Sequence, residues 1–442
     1  MNFSMISLGC SKNLVDSEMM MGLLEQKGYN YVQPEEAELI IINTCGFIEP
    51  AKEESIETIL ETAQLKEEGK LKYLIVAGCL VQRYADALAQ ELPEVDGFFG
   101  VGNFAQVLEI TEKIVAEKER VVLSSDPMDY LYTAKMPRKL ATLPATAYVK
   151  VGDGCNNRCS YCAIPIIRGD YRERSMEDIV AESAGLIEGG VKEICLIAQD
   201  TTYYGYDLYK RPALGELCQR ILDLPGLVWL RVLYLYPTHF SQDFIDLLAN
   251  HPKMCAYVDL PLQHCQTHLL KAMNRPHSKE YLLDLIAKLR REIPEVILRT
   301  SYIVGFPGET DEDVEALAEF IKETAFDHVG IFIYSPEEGT SAYDLGDPIP
   351  LEEKERRRNY LMTVQQEVVK DNNLKFLNRE MDVLIEGQTK DGQWIGRTQG
   401  QSPDIDGLVI FRGAGEFGQV VPVKIDEIKA YDLLGHRIER DE

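Results

Sequence analysis

Short apolar runs alternate with amphipathic segments along the first 103 residues of the chain. The runs SMISLG, ELIIINT and KYLIVAG are rich in Ile, Leu and Val, as buried parallel strands are. Segments of helical character follow them, such as VDSEMMMGLLEQKG, in which Gly28 is a candidate helix end. This alternation predicts a doubly wound α/β sheet for the N-terminal part of the chain.

From about residue 145 a second alternation of strand-like and helix-like segments occurs six times. The strand-like segments are TAYVKVG, EICLIAQ, WLRVLYLY, YVDLPLQ, ILRTSYIVG and VGIFIYS. Two of the following helices begin with capping-box-like pairs, Ser175 with Asp178 and Thr310 with Asp313. Because eight β/α units are needed to close a full barrel, six units predict an open (β/α)6 barrel.

The pattern changes again after the charged helical segment LEEKERRRNYLMTVQQEVVKDNN. Short β-rich runs separated by Gly-containing turns follow it and predict a small antiparallel β-barrel. A proline-containing connector, KMPRKLATLPAT, separates the first two parts. The sequence therefore predicts an α/β multidomain protein with domains at residues 1–140, 141–373 and 374–442.

Composition and charge narrow the class of protein. The chain has 442 residues, of which 45% are hydrophobic and 27% charged, as in ordinary globular proteins. It has no apolar run of membrane-spanning length and no basic and apolar leader, so we expect a cytoplasmic protein without a membrane partner. The net charge of -26 weighs against binding by phosphate neutralisation and favours a basic partner, although acidity also serves solubility.

Three of the ten cysteines follow predicted strands of the N-terminal sheet. In a reducing compartment, cysteines in a chain of this size favour metal or redox chemistry over disulfides. Cys10, Cys45 and Cys79 each come at the carboxyl end of an apolar run, at the edge where open α/β sheets bind ligands. A buried structural role is the alternative for any single cysteine. Three thiols at equivalent strand ends predict a shared cofactor.

Cys155, Cys159 and Cys162 form a Cys-x-x-x-Cys-x-x-Cys motif after the first predicted barrel strand. Structural zinc sites are closed by four protein ligands, and no fourth ligand lies nearby in sequence. Long-range completion by His239, His264 or Cys265 stays open as an alternative. An iron-sulfur cluster usually takes four thiolates, so three would leave one iron open to an external ligand.

This motif, with Tyr161 directly before its last cysteine and a six-unit β/α domain around it, resembles the radical S-adenosylmethionine superfamily. In that superfamily the amino and carboxylate groups of S-adenosylmethionine chelate the open iron. The aromatic residue lies near the adenine. The resemblance therefore implies that Tyr161 contacts this cofactor.

The domain order and six motifs resemble the methylthiotransferases along essentially the whole chain. The motifs are LGCSKNLVDSE, NTCGFI, AGCL, GCNNRCSYCAIPIIRG, LPLQH and GFPGET. The resemblance implies two [4Fe–4S] clusters, each held by one cysteine triplet, with the sulfur to be inserted bound to the N-terminal cluster. It also implies two S-adenosylmethionine molecules: one methylates that sulfur, and the other yields the radical that removes hydrogen from an unactivated carbon.

Other candidate residues lie at strand ends. Gln199 and Asp200 end the second barrel strand, where barrel enzymes place functional groups, and we expect them to bind the cofactor. We expect the same of Gly305 and Gly308 in GFPGET, for which a tight turn and helix cap is the alternative.

Three arginines follow the second cysteine motif in the sequence IIRGDYRERS. The positive charges of Arg168, Arg172 and Arg174 could serve a cofactor carboxylate or the substrate. The alternative is that they are solvated surface side chains.

Two branches of the methylthiotransferases differ in substrate: an adenosine of transfer RNA, or an aspartate of protein twelve of the small ribosomal subunit. Lys12 and Asn13 after the first cysteine resemble the ribosomal branch, because the tRNA branch typically has Gln-Met-Asn there. MNRPHS, at 273–278, also fits that branch. Residues 374–442 carry nine Lys and Arg against thirteen Asp and Glu, whereas an RNA-binding module should show a basic face.

We therefore expect a basic ribosomal protein as substrate, free or on the assembled subunit, together with an electron donor and a sulfur donor. Transfer RNA is the alternative substrate. A scaffold with electron-transfer clusters is the non-enzymatic alternative, but such clusters are normally ligated fully by protein.

Overall fold

The N-terminal part of the computed structural model, which describes residues 1–142 and 145–439, is a six-stranded sheet. All its pairings are parallel, in the order β2-β1-β3-β4-β5-β6. The apolar runs form the buried centre of this sheet, and every residue of β3 is buried. The strands are β1 Asn2–Ser7, β2 Asn30–Tyr31, β3 Leu39–Thr44, β4 Tyr73–Gly78, β5 Gly97–Phe99 and β6 Val121–Leu123.

Helices connect these strands and confirm the doubly wound prediction. They are α1 Ser11–Gln26, α2 Glu49–Glu67, α3 Cys79–Glu91 and α4 Val107–Glu112, with short 3-10 segments at Pro34–Glu36, Val101–Gln106 and Pro127–Asp129 and a π segment at Lys113–Glu117. In this sheet β2 lies on one side of β1, and β3 lies on the other side. This reversal of strand order lies between β1 and β3, where doubly wound sheets bind ligands.

The central part has six parallel strands in chain order, as the pattern predicts. They are β7 Thr146–Lys150, β10 Glu193–Ile197, β11 Trp229–Val232, β12 Tyr257–Asp259, β13 Ile297–Val304 and β14 His328–Ile333, and the short pair β8 Gly152–Asp153 and β9 Arg172–Glu173 lies after β7. A bridge between Leu230 and Met254 joins the two halves of the sheet. Within the described residues β7 and β14 do not pair, so the barrel is open on one side.

Helices connect and follow the strands of this barrel. They are α5 Ile164–Arg168, α6 Met176–Glu188, α7 Leu214–Leu222, α8 Gln242–Asn250, α9 Thr267–Ala272, α10 Lys279–Glu292, α11 Asp311–Thr324 and α12 Leu351–Asn373, with 3-10 turns at Thr201–Tyr203 and Tyr343–Leu345. The capping box of Thr310 and Asp313 is present at the start of α11. At α6 the Ser175 hydroxyl accepts a hydrogen bond from the Asp178 amide.

The N-terminal domain packs against the barrel, and the two share one hydrophobic core. Met19 of α1 and Phe104 belong to the same cluster as Tyr148 of β7 and Trp229 of β11. Of the predicted connector between these domains, Leu143 and Pro144 lie outside the described residues.

The C-terminal part is a closed five-stranded barrel in the order β15-β16-β17-β19-β18. Its strands are β15 Glu380–Gln388, β16 Trp394–Arg397, β17 Val409–Arg412, β18 Val420–Lys429 and β19 Asp432–Arg437, after a 3-10 turn at Leu374–Phe376. Four pairings are antiparallel, and the pairing of β17 with β19 is parallel. The two strands run in the same direction because β18, which lies between them in sequence, runs in the opposite direction. The predicted boundaries at 140/141 and 373/374 stay predictions.

A loop of the C-terminal barrel closes the amino-terminal end of the open barrel. The Tyr148 hydroxyl donates to Asp404 at 3.0 Å, and the Tyr257 hydroxyl donates to Asp406 at 2.6 Å. Tyr257 begins β12 and Tyr148 is the middle residue of β7, so the opposite end, where the strands terminate, is left for ligands. None of the helices in the described residues combines the length and apolarity that a bilayer crossing requires.

Candidate functional site

Cys10, Cys45 and Cys79 lie at one edge of the N-terminal sheet. The strand register aligns Ser7, Asn43 and Ala77, and each cysteine follows within three residues. Cys10 precedes α1, Cys45 follows β3, and Cys79 begins α3. The sequence prediction that these three strand ends are neighbours is confirmed by the register.

Glycine and asparagine bring these strand ends close together. Gly9 has a φ of +86°, and a Cβ there would lie 2.8 Å from the Cβ of Cys45, so only glycine fits between the two cysteine segments. The Asn13 side chain donates to the carbonyl of Leu8 at 3.0 Å and to that of Thr44 at 2.9 Å. It therefore ties the ends of β1 and β3 together.

Cys155, Cys159 and Cys162 lie in the loop between β8 and α5, at the carboxyl end of the open barrel. The loop is held by backbone hydrogen bonds from Cys155 to Gly169 at 3.2 Å and from Cys162 to Cys159 at 3.1 Å. All three side chains are half-buried, so the loop presents its thiols to a space that a ligand can enter.

Both cysteine triplets line the same cavity, which has a volume of about 310 Å³. One wall comes from the N-terminal domain and carries Cys10, Cys45 and Cys79, and the other carries Cys155, Cys159 and Cys162. Tyr161 and Gln199 also line this cavity. The cavity lies between two domains, where ligand sites often occur.

Burial keeps several of these thiols uncharged in the protein alone. Burial raises the pKa of Cys45 to about 12 and that of Cys155 to about 11. It also raises the pKa values of Cys79 and Cys162. Thiolates form at such sites when a cationic metal centre supplies the compensating charge.

The described residues contain no preformed site for a single metal ion. Among residues 1–142 and 145–439, no three His, Cys, Asp or Glu side chains converge as the ligands of one metal ion do. His239, His264 and Cys265, the candidates for completing a zinc site, do not line the cavity. Among the described residues, the cavity lining contains the six cysteines and no His, Asp or Glu, which suits two clusters held by three thiolates each.

Arg168 lines the cavity and belongs to a buried ion network. Its guanidinium contacts Asp16 at 2.7 Å and Asp153 at 3.2 Å, and Lys150 contacts the same two carboxylates. Burial alone would raise the pKa of Asp153, but the charges of Lys150 and Arg168 outweigh it and lower that pKa. The carboxylate therefore stays ionised at neutral pH.

The same guanidinium also reaches the N-terminal triplet, with Nη2 3.5 Å from the Cys79 sulfur. A solvated surface role is therefore wrong for Arg168, which is 1% exposed, and for Arg174, which is 2% exposed. Arg174 is paired with Asp178 and Glu182. Arg172 is half-buried and donates to the carbonyls of Pro127 and Tyr130.

The other predicted cofactor residues divide between the cavity and its surroundings. Gln199 donates to Asp153 at 2.9 Å, and its buried oxygen has no hydrogen-bond partner within the described chain. Asp200 accepts from Asn157 at 2.7 Å and caps the turn Thr201–Tyr203 without lining the cavity. Gly305 and Gly308 also lie outside the cavity lining. Cofactor binding by these residues stays a prediction.

Tyr234, Tyr236 and Arg275 line the cavity, although the sequence pattern did not single them out. The two tyrosines follow β11. Barrel enzymes place functional groups at the carboxyl ends of strands, and this rule, which predicted Gln199, also applies to them. Arg275 lies 3.7 Å from the Cys159 sulfur and 4.5 Å from the Tyr236 ring centroid. It belongs to the MNRPHS motif, which predicts a substrate branch of the methylthiotransferases but no role for Arg275.

Comparison with known proteins agrees with this architecture. Three family models match successive parts of the chain: Uncharacterized protein family UPF0004 at 2–100, the Radical SAM superfamily at 149–321 and the TRAM domain at 379–438. Among solved structures, the radical S-adenosylmethionine methyltransferase TsrM from Kitasatospora setae has a TM-score of 0.55 and 17% identity, covering 76% of this chain and 74% of its own. At that identity the likeness shows the fold alone.

Full-length relatives are much closer in sequence. A Clostridioides difficile protein, named ribosomal protein uS12 methylthiotransferase RimO, is 45% identical over 97% of both chains. A Pelotomaculum thermopropionicum protein of the same name is 46% identical over 98% of both chains.

An open six-stranded β/α barrel with a three-cysteine loop at its carboxyl end defines this chain as a radical S-adenosylmethionine protein. The identity to full-length relatives then shows the family: the chain belongs to the RimO family of ribosomal protein uS12 methylthiotransferases. Its cofactors are accordingly S-adenosylmethionine and [4Fe–4S] clusters, as predicted from the sequence.

Proposed function

We propose that this protein adds a methylthio group to the β-carbon of an aspartate in ribosomal protein uS12. The proposal rests on two cysteine triplets that face one cavity and on relatives that carry the name of this activity. Insertion of a methylated sulfur requires the sulfur and the activated carbon to meet in one place. A shared cavity meets that requirement.

Each triplet would hold one [4Fe–4S] cluster in this proposal: Cys10, Cys45 and Cys79 on one wall, and Cys155, Cys159 and Cys162 on the other. When bound, the clusters and S-adenosylmethionine supply the methylated sulfur and the radical that removes hydrogen from carbon. Tyr161, Gln199, Asp200, Gly305 and Gly308 are proposed to hold S-adenosylmethionine.

The apolar part of the cavity lining excludes water from the reacting atoms. Phe47, Ile164, Ile167 and Leu235 contribute to it, alongside the rings of Tyr234 and Tyr236. A dry pocket limits side reactions of a reactive carbon centre.

The charge of the protein favours a basic protein substrate over RNA. The chain carries a net charge of -26, and residues 374–442 carry nine basic against thirteen acidic side chains. Basic ribosomal proteins are attracted to such a surface, whereas the phosphates of tRNA are repelled. We further propose that the enzyme acts in the cytoplasm and takes electrons and sulfur from separate donors.

Separate assays with the two candidate substrates test this proposal. Anaerobically reconstituted enzyme is given either uS12, free or in small ribosomal subunits, or unmodified tRNA, and the products are weighed by mass spectrometry. We expect methylthio addition to one aspartate of uS12 and no change in tRNA mass. Modification of tRNA alone would overturn the choice of substrate.

A further inference from the structure

Three lysines are buried, and one of them lacks a counter-ion. Lys12, Lys150 and Lys354 are 7%, 1% and 2% exposed. Lys150 pairs with Asp16 and Asp153, and Lys354 pairs with Asp347. Within residues 1–142 and 145–439, no carboxylate lies in ion-pair range of the Lys12 ammonium, which instead lies 2.9 Å from the ring centroid of Tyr234.

An ammonium on a largely buried side chain is costly, because it has given up part of its hydration without gaining an opposite charge. The Tyr234 ring offsets part of this cost through its negative face. It offers no hydrogen-bond acceptor comparable to an oxygen anion. Lys12 lines the cavity, so an anion in the cavity would complete its environment.

The other cations of the cavity wall are already engaged. Arg168 is paired with Asp16 and Asp153 and donates to the Asn13 side chain at 2.8 Å. Arg275 donates to the Pro261 carbonyl at 2.7 Å and contacts the Cys159 sulfur. Of the three cations lining the cavity in the described chain, Lys12 is the one whose charged group has no hydrogen-bond partner.

We propose that Lys12 binds the side-chain carboxylate of the target aspartate and selects an acidic residue at that position. This inference rests on the proposed function. Lys12 lies two residues from Cys10, on the wall of the first cysteine triplet. The β-carbon of aspartate is bonded directly to its carboxylate, so a carboxylate held by Lys12 brings the carbon that receives sulfur to this end of the cavity.

S-adenosylmethionine also carries a carboxylate, but its proposed place is at the second triplet, on the opposite wall. Charge-assisted hydrogen bonds between ammonium and carboxylate are short and strong. An asparagine at the target position has the same shape and lacks the charge. Discrimination between aspartate and asparagine therefore measures what Lys12 contributes.

Binding of two forms of uS12 tests this role. Reconstituted wild-type enzyme and the variants Lys12→Met, Lys12→Arg and Lys27→Met are titrated with uS12 carrying its aspartate or an asparagine at the target position. The substrate is presented free or in small subunits, whichever form the wild type modifies. Lys27 is an exposed residue at the end of α1 and serves as the matched control.

We expect wild type and Lys27→Met to bind the aspartate form about tenfold to a hundredfold more tightly than the asparagine form. Lys12→Met should bind both forms alike, with unchanged iron content and S-adenosylmethionine affinity, and Lys12→Arg should restore a preference for aspartate. If Lys12→Met keeps the full preference for aspartate, or loses only S-adenosylmethionine affinity or iron content, the proposed role of Lys12 is wrong and the proposed function is unaffected. Failure of the wild type to modify uS12 overturns the proposed function as well.

Discussion

At the level of single side chains, Arg168 of the barrel domain contacts the N-terminal cysteine triplet. It lies at the end of α5, six residues after Cys162, yet its guanidinium contacts Asn13 and the Cys79 sulfur of the N-terminal domain. A cation in this position attracts the negative charge that thiolates bring to the N-terminal triplet. The second triplet has its own cation, since Arg275 contacts the Cys159 sulfur.

The cysteines themselves give the residue-scale prediction. We expect Cys10→Ala and Cys155→Ala, made separately, each to lose about half the iron of the reconstituted enzyme and all methylthio transfer, because an alanine leaves only two thiolates for that cluster. Iron analysis and the visible absorption of the clusters measure the first effect.

Cys218→Ala is the matched control, because Cys218 is buried in α7 and does not line the cavity. It should retain full iron content. Full iron in Cys10→Ala would contradict the N-terminal cluster, and full iron in Cys155→Ala would contradict the cluster in the barrel loop.

At the scale of secondary-structure elements, a glycine-containing turn connects a barrel strand to the helix that follows it. Gly305 and Gly308 form the turn between β13 and α11, with φ angles of +78° and +93°. The Gly305 amide donates to Glu309 at 2.6 Å, and the Thr310 capping box then starts α11. The turn is therefore fixed by its own hydrogen bonds and by packing.

The two glycines should respond differently to substitution. A Cβ at Gly305 would overlap the Lys354 side chain, whereas one at Gly308 meets nothing within 4 Å. We expect Gly308→Ala to lower the free energy of unfolding by about 1 kcal/mol through its positive φ alone. Gly305→Ala should cost about 1–3 kcal/mol more because of the overlap. Urea denaturation measures both.

Gly185→Ala is the control for the effect of an added methyl group. Gly185 lies within α6 with open space around it, so alanine should raise stability by about 0.5–1 kcal/mol. Equal losses in Gly305→Ala and Gly308→Ala would contradict the contact with Lys354.

At the scale of the whole molecule, a buried ion network joins the C-terminal barrel to the open barrel. Glu193 of β10 contacts Arg231 at 2.7 Å and Arg397 of β16 at 2.5 Å, and Arg397 also pairs with Glu386. Burial alone would raise the pKa of Glu193, but the charges of Arg397 and Arg231 outweigh it and lower the pKa to about 2.

This shift predicts how stability depends on pH. Because the pKa of Glu193 is lower in the folded protein than its ordinary value of 4.5, its contribution is complete above pH 4.5 and is lost as pH falls towards 2. Glu193→Gln should be less stable than wild type at pH 7 by about 3–5 kcal/mol, since it removes the carboxylate that Arg231 pairs with and leaves Arg397 with Glu386 alone. The difference should shrink between pH 5 and pH 3 in urea denaturation.

Glu295→Gln removes an exposed ion pair between the same two domains, with Arg379. It should change stability by less than about 1 kcal/mol at any pH. Parallel pH profiles for wild type and Glu193→Gln would contradict the role of this carboxylate.

Much of the architecture was predictable because the sheets and helices follow local periodicity. The buried run LIIINT and the six strand-like segments identified their strands before any contact was known. The parallel pairing of β17 with β19 was not predictable, because strand order in a barrel depends on contacts between distant segments. The same holds for Arg168, whose partner Asp16 lies in the N-terminal domain.

The sequence by itself determined that two sets of three thiols follow strand ends, because strand patterns and cysteine spacing are local properties of the chain. Only the tertiary structure decided that both sets face one cavity, and that Tyr234 is the partner of Lys12. Those arrangements join residues at least 76 positions apart, from Cys79 to Cys155. They depend on how the N-terminal sheet packs against the open barrel, and no local pattern encodes that packing.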